Sequence, residues 1–209
     1  MGRVYIPENG DFPLTADIVI IGGGIVGAAI AFFTSKAGMK TILLERRASL
    51  GSLTSAASSE CFRAQFMLPE HIAMMKASIV MLESFADLID TPGYDIGLHQ
   101  PGYLFVTSAP DGKARLQARV ERQRSLGLGD VELLTPPALQ QSFPYVSPIA
   151  TAATYRPGDG WFSVHEVTYG LAKGSTAQFL VETEARRILT DGPRIVGVKT
   201  SRGVVHADT

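Results

Sequence analysis

The order of apolar and polar positions predicts a strand–helix–strand unit near the N-terminus. An apolar run from Asp17 to Ile21 ends in glycines and is typical of a strand buried in a parallel sheet. The stretch Ile25 to Ala37, rich in small residues, predicts a helix that Gly38 ends. A second apolar run, Thr41 to Leu44, predicts the next strand and leads directly to Glu45. Together these segments have the length of a βαβ unit, about 30 residues.

The middle of the chain predicts helices separated by turns and antiparallel strands. Apolar residues at spacings of three and four predict one helix from Pro69 to about Ile89, with a single apolar face. Several glycines and an apolar run that ends at Val106 predict turns and strands. Asp111 is expected to cap a strongly charged helix that faces solvent and ends near Leu126.

The last third of the chain predicts one helix followed by short strands. Prolines between positions 136 and 148 predict a connecting region. Ser163 and Glu166 match the capping box that begins a helix, and this helix is expected to reach about Thr176. Turns are predicted at Asp191-Gly192 and Arg202-Gly203. The four apolar runs that predict strands are Ala177–Val181, Ala185–Leu189, Ile195–Thr200 and Val204–Ala207.

Between the first predicted strand and helix, the sequence Gly-Gly-Gly-Ile-Val-Gly matches the pattern G-x-G-x-x-G. Gly22 would permit the tight turn out of the strand, and Gly24 would leave room for a pyrophosphate against the backbone. Gly27 would let the helix pack closely. The backbone amides of Ile25 and Val26, at the positive end of the helix dipole, would then hold the phosphate charge.

Glu45 lies 23 residues after Gly22, where an acidic side chain meets the ribose hydroxyls of a dinucleotide. A carboxylate at this position repels a 2′-phosphate and so disfavours NADP, although the neighbouring Arg46 and Arg47 would attract one. A glycine-rich turn that binds nothing would carry the same glycines. The motif therefore predicts an adenine dinucleotide and leaves FAD and NAD as alternatives.

Composition and charge exclude several other classes of protein. Hydrophobic residues make up 45% of the chain and charged residues 19%, which is ordinary for a globular protein and excludes disorder throughout. The net charge of −1 gives no electrostatic reason to expect nucleic acid or an anionic membrane. The single cysteine, Cys61, excludes an internal disulfide framework, and the four histidines lack the spacing of metal ligands, so no metal is expected.

The N-terminal region gives no indication of export or of a membrane span. The first fourteen residues lack the apolar core of a signal peptide. The uncharged run 18–33 is shorter than the roughly 20 residues that span a bilayer, and glycines interrupt it. We therefore expect a cytoplasmic protein without a membrane span.

The loop after the acidic strand resembles that of the FAD-dependent amine oxidoreductases, which include D-amino-acid oxidase, glycine oxidase, sarcosine oxidase and dimethylglycine dehydrogenase. In that family a serine-rich loop such as Gly51 to Ser59 runs under the flavin. The resemblance implies that Arg46, Thr54, Ser55 and Ala56 contact the cofactor.

Later segments resemble the same family. Gly158-Asp159-Gly160-Trp161 is similar to the segment that returns to the FAD domain. The strand Thr183 to Ile188 resembles the one whose backbone contacts the adenine end, with Ala185 at the contact position. Ile195 to Thr200 resembles the continuation of the family's β-meander.

The resemblance implies an α/β fold in which a smaller, partly antiparallel substrate domain interrupts a Rossmann-like FAD-binding domain with a β-meander. The implied boundaries are 15–90 for the first part of the FAD-binding domain, 91–148 for the substrate-domain segment and 149–209 for the second part. Family members are longer, and another strand is expected after Thr209. The chain is therefore expected to be incomplete, to be inactive alone, and to need a homo-oligomer or a partner chain.

The resemblance also implies the chemistry. A small-molecule amine or amino acid would lose a hydride to FAD, and the imine product would hydrolyse. Some members attach FAD to a histidine in this loop, but Ser49 to Ser59 contains none, so non-covalent FAD is expected. Arg63 is a candidate for binding a substrate carboxylate, and the alternative is a structural arginine. An NAD-dependent dehydrogenase and a non-catalytic dinucleotide-binding fragment or subunit remain the other candidate functions.

Overall fold

The computed structural model describes residues 2–8 and 12–207, which form two compact units. The first unit comprises Met1–Glu60, Phe85–Gly97 and Ser163–Thr209, and the second comprises Cys61–Ser84 and Leu98–Phe162. The sequence predicts an FAD-binding domain and a substrate domain with boundaries at 90/91 and 148/149. These boundaries stay a prediction, because the two compact units are defined by packing and not by what they bind. The strand expected after Thr209 lies outside the described residues.

Thirteen strands and six helices are present in the described part of the chain. The strands are β1 (Arg3–Tyr5), β2 (Thr15–Ala16), β3 (Ile18–Ile21), β4 (Thr41–Leu44), β5 (Cys61–Phe62), β6 (Tyr103–Thr107), β7 (Glu132–Leu134), β8 (Ala152–Arg156), β9 (Gly160–Trp161), β10 (Gln178–Leu180), β11 (Ala185–Asp191), β12 (Arg194–Thr200) and β13 (Val204–Ala207). The helices are α1 (Ile25–Lys36), α2 (Pro69–Glu83), α3 (Phe85–Leu88), α4 (Gly112–Ser125), α5 (Pro136–Ser142) and α6 (Val164–Gly174).

The first unit is built on a parallel sheet with the strand order β1-β10-β4-β3. The predicted βαβ unit is confirmed, because β3 and β4 pair in parallel and α1 connects them. All four residues of β4 are buried, as expected for a strand covered on both faces. The run predicted at Ala177–Val181 also joins this sheet as β10, between β1 and β4.

A β-meander covers one face of the parallel sheet. Its strand order is β11-β12-β13-β2, in which the first three strands are antiparallel, as the sequence predicts. Ile42, Leu44 and Leu180 of the parallel sheet pack against Val198 and Val205 of the meander. Helix α1 packs on β3 and β4 and against α6. The first unit therefore has an α/β core with the cover that a parallel sheet needs.

The second unit is mainly antiparallel. Strands β6, β8 and β7 form one antiparallel sheet, and β5 pairs with β9 in a small antiparallel ladder. The connecting region predicted around the prolines contains the short helix α5, which begins with Pro136 and Pro137. Proline is tolerated in the first turn of a helix because the amide it lacks would have no partner there. Together these features agree with the partly antiparallel character expected of this part of the chain.

The prediction of one continuous helix from Pro69 to Ile89 is wrong. Helix α2 ends at Glu83, with Ser84 as its C-cap residue, and α3 follows as a separate short helix. Ile72 and Ile79 pack into the core of the second unit. Phe85 and Ile89 belong to the first unit and lie over Gly170 and Gly174 of α6, where a side chain would overlap them. The apolar face is divided because its two ends pack into two different cores.

Two predictions about α4 are also corrected. Asp111 is the N-cap residue, but its side chain makes no capping bond; it lies 3.8 Å from Arg115. The helix is not wholly solvated, because Gln123 is fully buried and donates to the carbonyl oxygen of Phe66 at 3.1 Å. Arg124 likewise donates to the carbonyl oxygen of Val131, so long polar side chains of α4 anchor neighbouring backbone.

Residues 2–8 and 12–207 contain no helix that is both long and apolar enough to cross a bilayer. In the same part of the chain, no three His, Cys, Asp or Glu side chains come together as metal ligands would.

Candidate cofactor site

The glycine-rich turn joins β3 to α1, and its glycines serve different purposes. Gly22 has φ of 108°, a conformation that residues with side chains rarely adopt. A Cβ on Gly27 would overlap the carbonyl oxygen of Gly22, so this glycine lets α1 pack against the turn itself. A Cβ on Gly24 would meet only Oγ of Ser55, at 3.3 Å. The protein's own packing therefore needs Gly22 and Gly27, whereas the space at Gly24 is open to a ligand.

The N-terminus of α1 is open. Gly24 is its N-cap residue and has no side chain to cap it, and the amide of Ile25 is bonded only to Oγ of Ser55, at 3.2 Å. Val26, in the first turn, is 70% exposed. A helix of 12 residues with free amides and no acidic residue in its first turn presents partial positive charge to an anion.

Glu45 follows β4 and faces the same turn. Its carboxylate accepts hydrogen bonds from the amides of Gly23 and Arg47, both at 2.8 Å. The backbone of Glu45 is fixed by β10 and the residues after it, because its amide donates to Leu180 and its carbonyl accepts from Thr183. A carboxylate has about four acceptor positions, so it can still receive hydroxyl groups.

A groove of about 310 Å³ opens beside these residues at the carboxyl ends of β3 and β4. It brings together four residues that the sequence predicts to bind a cofactor: Gly22, Glu45, Arg46 and Ala185. Ile21, Leu44, Leu53 and Glu184 complete the lining. The carboxyl ends of parallel strands, where the chain turns into a helix, are the usual place for a nucleotide in an open α/β sheet.

The serine-rich loop is tied to the glycine turn. The amide of Gly51 donates to the carbonyl of Gly23 at 2.8 Å, and Leu50 packs where a side chain on Gly23 would lie. Ser55 reaches the start of α1, as described above. Thr54 and Ala56 are exposed on the loop, where the amide of Ala56 donates to Gly51. The residues expected to bind FAD thus lie on one connected surface or on the loop attached to it.

Arg63 lies in the second unit, just after β5. Its Nη1 donates to the carbonyl oxygen of Gln65 at 2.8 Å, and its guanidinium lies 4.1 Å from the centre of the Phe66 ring. These contacts fix the side chain while leaving its charge without an acidic partner among the residues described.

Sequence reasoning missed several residues of the groove. Leu53 and Ile21 line the groove with large apolar side chains that are 48% and 54% exposed. An isolated leucine within a serine-rich loop was the available signal for Leu53. Glu184 lines the groove directly before Ala185 and adds a second carboxylate to its lining, which lies 3.5 Å from the Arg186 guanidinium.

The fold and the site together define a dinucleotide-binding α/β protein. The family model for FAD-dependent oxidoreductases of the D-amino-acid oxidase type matches residues 17–209, nearly the whole sequence. The chain therefore belongs to the FAD-dependent oxidoreductase family, whose cofactor is FAD.

Individual relatives agree with this membership. The chain is 29% identical over 191 residues to FAD-dependent oxidoreductase domain-containing protein 1 of Mus musculus, covering 85% of this chain and 39% of the relative. It is 26% identical over 202 residues to sarcosine oxidase subunit beta of Arthrobacter sp, covering 91% and 49%. The structure of L-proline dehydrogenase from P. horikoshii matches with a TM-score of 0.84 and 28% identity, covering 94% of this chain and 52% of that one. The chain thus spans about half or less of the length of these proteins.

Proposed function

We propose that the chain binds FAD non-covalently as part of an oxidoreductase that acts on a secondary or tertiary amine or an amino acid. The observation that carries the proposal is the open space at Gly24, the N-cap residue of α1, two positions after Gly22, which lines a groove together with Glu45. A pyrophosphate fits these features, because its charge matches free helix amides and its size requires a residue without a side chain.

Each part of the site has a proposed role toward the cofactor. The amides of Ile25 and Val26 hold the pyrophosphate, and the Glu45 carboxylate accepts hydrogen bonds from the ribose hydroxyls. The backbone of Ala185, across the groove, contacts the adenine end. Arg46 adds a positive charge at the groove. The loop residues Thr54, Ser55 and Ala56 follow the cofactor toward the flavin.

The chemistry that FAD supplies when bound is acceptance of a hydride, here from the carbon next to the nitrogen of the substrate, whose imine product then hydrolyses. Arg63 is proposed to bind the substrate carboxylate, because a planar guanidinium matches carboxylate geometry. The names of two kinds of relative, sarcosine oxidase and dimethylglycine dehydrogenase, refer to amines that carry a carboxylate.

The length of the relatives favours a second candidate function for the chain on its own. Because the chain spans less than half of the curated relatives it matches, we propose that it binds FAD alone but turns over amines only with further sequence or a partner chain. Association with another copy and a cytoplasmic location stay predictions.

The test begins with the purified 209-residue chain. A flavin absorbance spectrum after addition of FAD and removal of the excess is expected, and a chain that retains NAD instead would contradict the assignment. After acid precipitation the yellow colour should appear in the supernatant, whereas colour in the washed pellet would show covalent attachment. Sarcosine, dimethylglycine, proline and D-amino acids are then assayed with an artificial electron acceptor. Vigorous turnover by a monomer of the 209-residue chain would contradict the second candidate function.

A further inference from the structure

Two arginines of the second unit share one acceptor. Nη1 of Arg63 and Nη2 of Arg119, on α4, both donate to the carbonyl oxygen of Gln65, at 2.8 and 3.1 Å. Both guanidinium groups also lie over the Phe105 ring, at 5.2 and 4.6 Å from its centre. Two nitrogens on one oxygen are necessarily close, so this arrangement holds two positive charges side by side.

The shared acceptor is itself fixed. Gln65 is fully buried, and its side-chain amide donates to the carbonyl oxygen of Tyr103 and to Oδ2 of Asp159. Its side-chain oxygen accepts from the Thr154 hydroxyl at 2.8 Å. A carbonyl on so constrained a residue anchors both arginines in a defined position rather than following their motion.

The charge of the pair is not neutralised by the part of the chain that the structure describes. The ion pairs among residues 2–8 and 12–207 include neither Arg63 nor Arg119. The nearby buried Asp159 is paired with Arg156. Nε of Arg119 is buried and has no hydrogen-bond partner. Burial and then the charge of Arg63 lower the pKa of Arg119. Adjacent cations with an unsatisfied donor would be stabilised by an anion.

We infer that Arg119 is a positioning residue for Arg63, the arginine proposed above to bind the carboxylate of the substrate. This inference rests on the proposed function of Arg63 and extends it to a residue on another element. Arg119 shares the Gln65 carbonyl and the Phe105 ring with Arg63, so it limits the orientations open to the Arg63 guanidinium, and its charge increases the positive potential there. The site therefore favours amino acids and other amines with a carboxylate over amines without one.

The test measures anion binding directly and needs no catalytic turnover. The 209-residue chain, labelled with ¹⁵N, is titrated with acetate, and the arginine Nε–H resonances are followed by NMR, with Arg63→Gln and Arg119→Gln used for assignment. Acetamide serves as the uncharged probe of the same shape. Acetate, but not acetamide, should shift the resonances of Arg63 and Arg119.

The variants separate positioning from general charge. Arg119→Gln should weaken acetate binding at Arg63 about three- to tenfold, as expected for loss of a charged neighbour and a charge-assisted bond. Arg119→Lys should weaken it less, because the charge remains. Arg122→Gln, an exposed arginine on the same helix, removes the same charge and should leave acetate binding unchanged.

Three results would overturn the inference. Unchanged acetate affinity at Arg63 in a folded Arg119→Gln chain would limit Arg119 to a structural role. An unresponsive Arg119 resonance in the unsubstituted chain would do the same, even if the glutamine variant does not fold. Absence of any acetate response would remove the carboxylate role of Arg63 as well. FAD binding, measured separately by absorbance, tests the proposed cofactor independently of these results.

Discussion

Helices α1 and α6 pack against each other in the first unit, yet their N-termini are built in opposite ways. At α6, Oγ of Ser163 accepts from the amide of Glu166 at 3.2 Å, and the Glu60 carboxylate accepts from the amide of Val164 at 3.2 Å. At α1, the cap is Gly24, and a single hydroxyl from a loop reaches the first turn. Two of the N-terminal amides of α6 therefore have side-chain partners. At α1 only the amide of Ile25 has one, and the other N-terminal amides are open to an anion.

We propose that this difference separates a helix start with a structural role, at α6, from one that binds the cofactor, at α1. A glycine cap stabilises a helix less than serine does by about a few tenths of a kcal/mol, so Gly24 at α1 is a small cost to the protein alone. The cost is offset if an anion binds there with the dipole in its favour. Substitutions at the two N-termini should therefore affect different properties: stability at α6 and cofactor affinity at α1.

The largest effect is expected at the glycines of the α1 turn. Gly24→Val should abolish FAD binding, because the side chain would occupy the space of the pyrophosphate. Gly24→Ala should weaken binding about ten- to hundredfold, as expected for overpacking by one methyl group. The Gly24→Ala chain should fold without FAD, since only Ser55 Oγ lies near the new Cβ.

Gly27→Ala is the matched control for that substitution. Its Cβ would overlap the carbonyl oxygen of Gly22, so this variant should lose stability even without FAD. Thermal unfolding followed by circular dichroism measures stability, and flavin fluorescence measures FAD binding, so the two losses are distinguished. Normal FAD affinity in Gly24→Val would refute the assignment of the turn to a pyrophosphate.

A smaller effect is expected for Glu45→Gln. The substitution removes the charge that binds the amides of Gly23 and Arg47, and hydrogen bonds to charged groups contribute about 1.5–3 kcal/mol. FAD affinity should fall about tenfold, measured by quenching of flavin fluorescence. Glu132→Gln, an exposed residue of the second unit, is the control and should bind FAD normally. Equal affinities in the two variants would exclude a ribose contact by Glu45.

Ser163 at α6 and Ser55 at α1 each bind an amide at a helix N-terminus, so alanine substitutions of the two can be compared directly. Ser163→Ala should lower the free energy of unfolding by about 1 kcal/mol and leave FAD affinity unchanged. Ser55→Ala should change stability by less than about 0.5 kcal/mol, because the freed amide of Ile25 can bind water, but it should weaken FAD binding. Chemical denaturation gives the free energy of unfolding of each variant, and titration with FAD gives its affinity. If the two serines behave alike, the distinction between the helix starts is not functional.

The smallest expected effect concerns Tyr94, which binds the Glu166 carboxylate in place of the backbone amide that a capping box would supply. The amide of Ser163 donates to the carbonyl of Ile96, and the Glu166 carboxylate instead accepts from the hydroxyl of Tyr94 at 3.1 Å. Burial and this contact raise the pKa of Tyr94 to about 12. The expectation from the sequence that Glu166 also satisfies a backbone amide at Ser163 is therefore corrected.

The raised pKa of Tyr94 predicts that the free energy of unfolding depends on pH between about 10 and 12. Because the pKa is higher in the folded chain than the ordinary value of 10.0, the stabilisation is present below pH 10 and is lost as the pH rises toward 12. The free energy of unfolding should fall over that range, and by less in Tyr94→Phe. Identical slopes for the two chains would show that Tyr94 does not contribute.

Local sequence was sufficient for the elements whose form depends on local chemistry. Three such features are the βαβ unit, the Ser163 cap and the strands of the meander. Each follows from the spacing of apolar residues, from glycines or from capping residues that lie within a few positions of one another. The glycine pattern and Glu45 also located the candidate cofactor site, because a strand, turn and helix in that order bring them together.

Only the tertiary structure decided the features that depend on distant residues. The end of α2 at Glu83 follows from packing into two cores, which a continuous apolar period does not reveal. Arg119 resembles any arginine of a charged helix until the fold places it on the same carbonyl oxygen as Arg63, 56 positions earlier in the chain. The sequence alone determines local geometry and the chemistry that each side chain can offer. Which side chains meet, and which charges remain without a partner, is set by long-range packing.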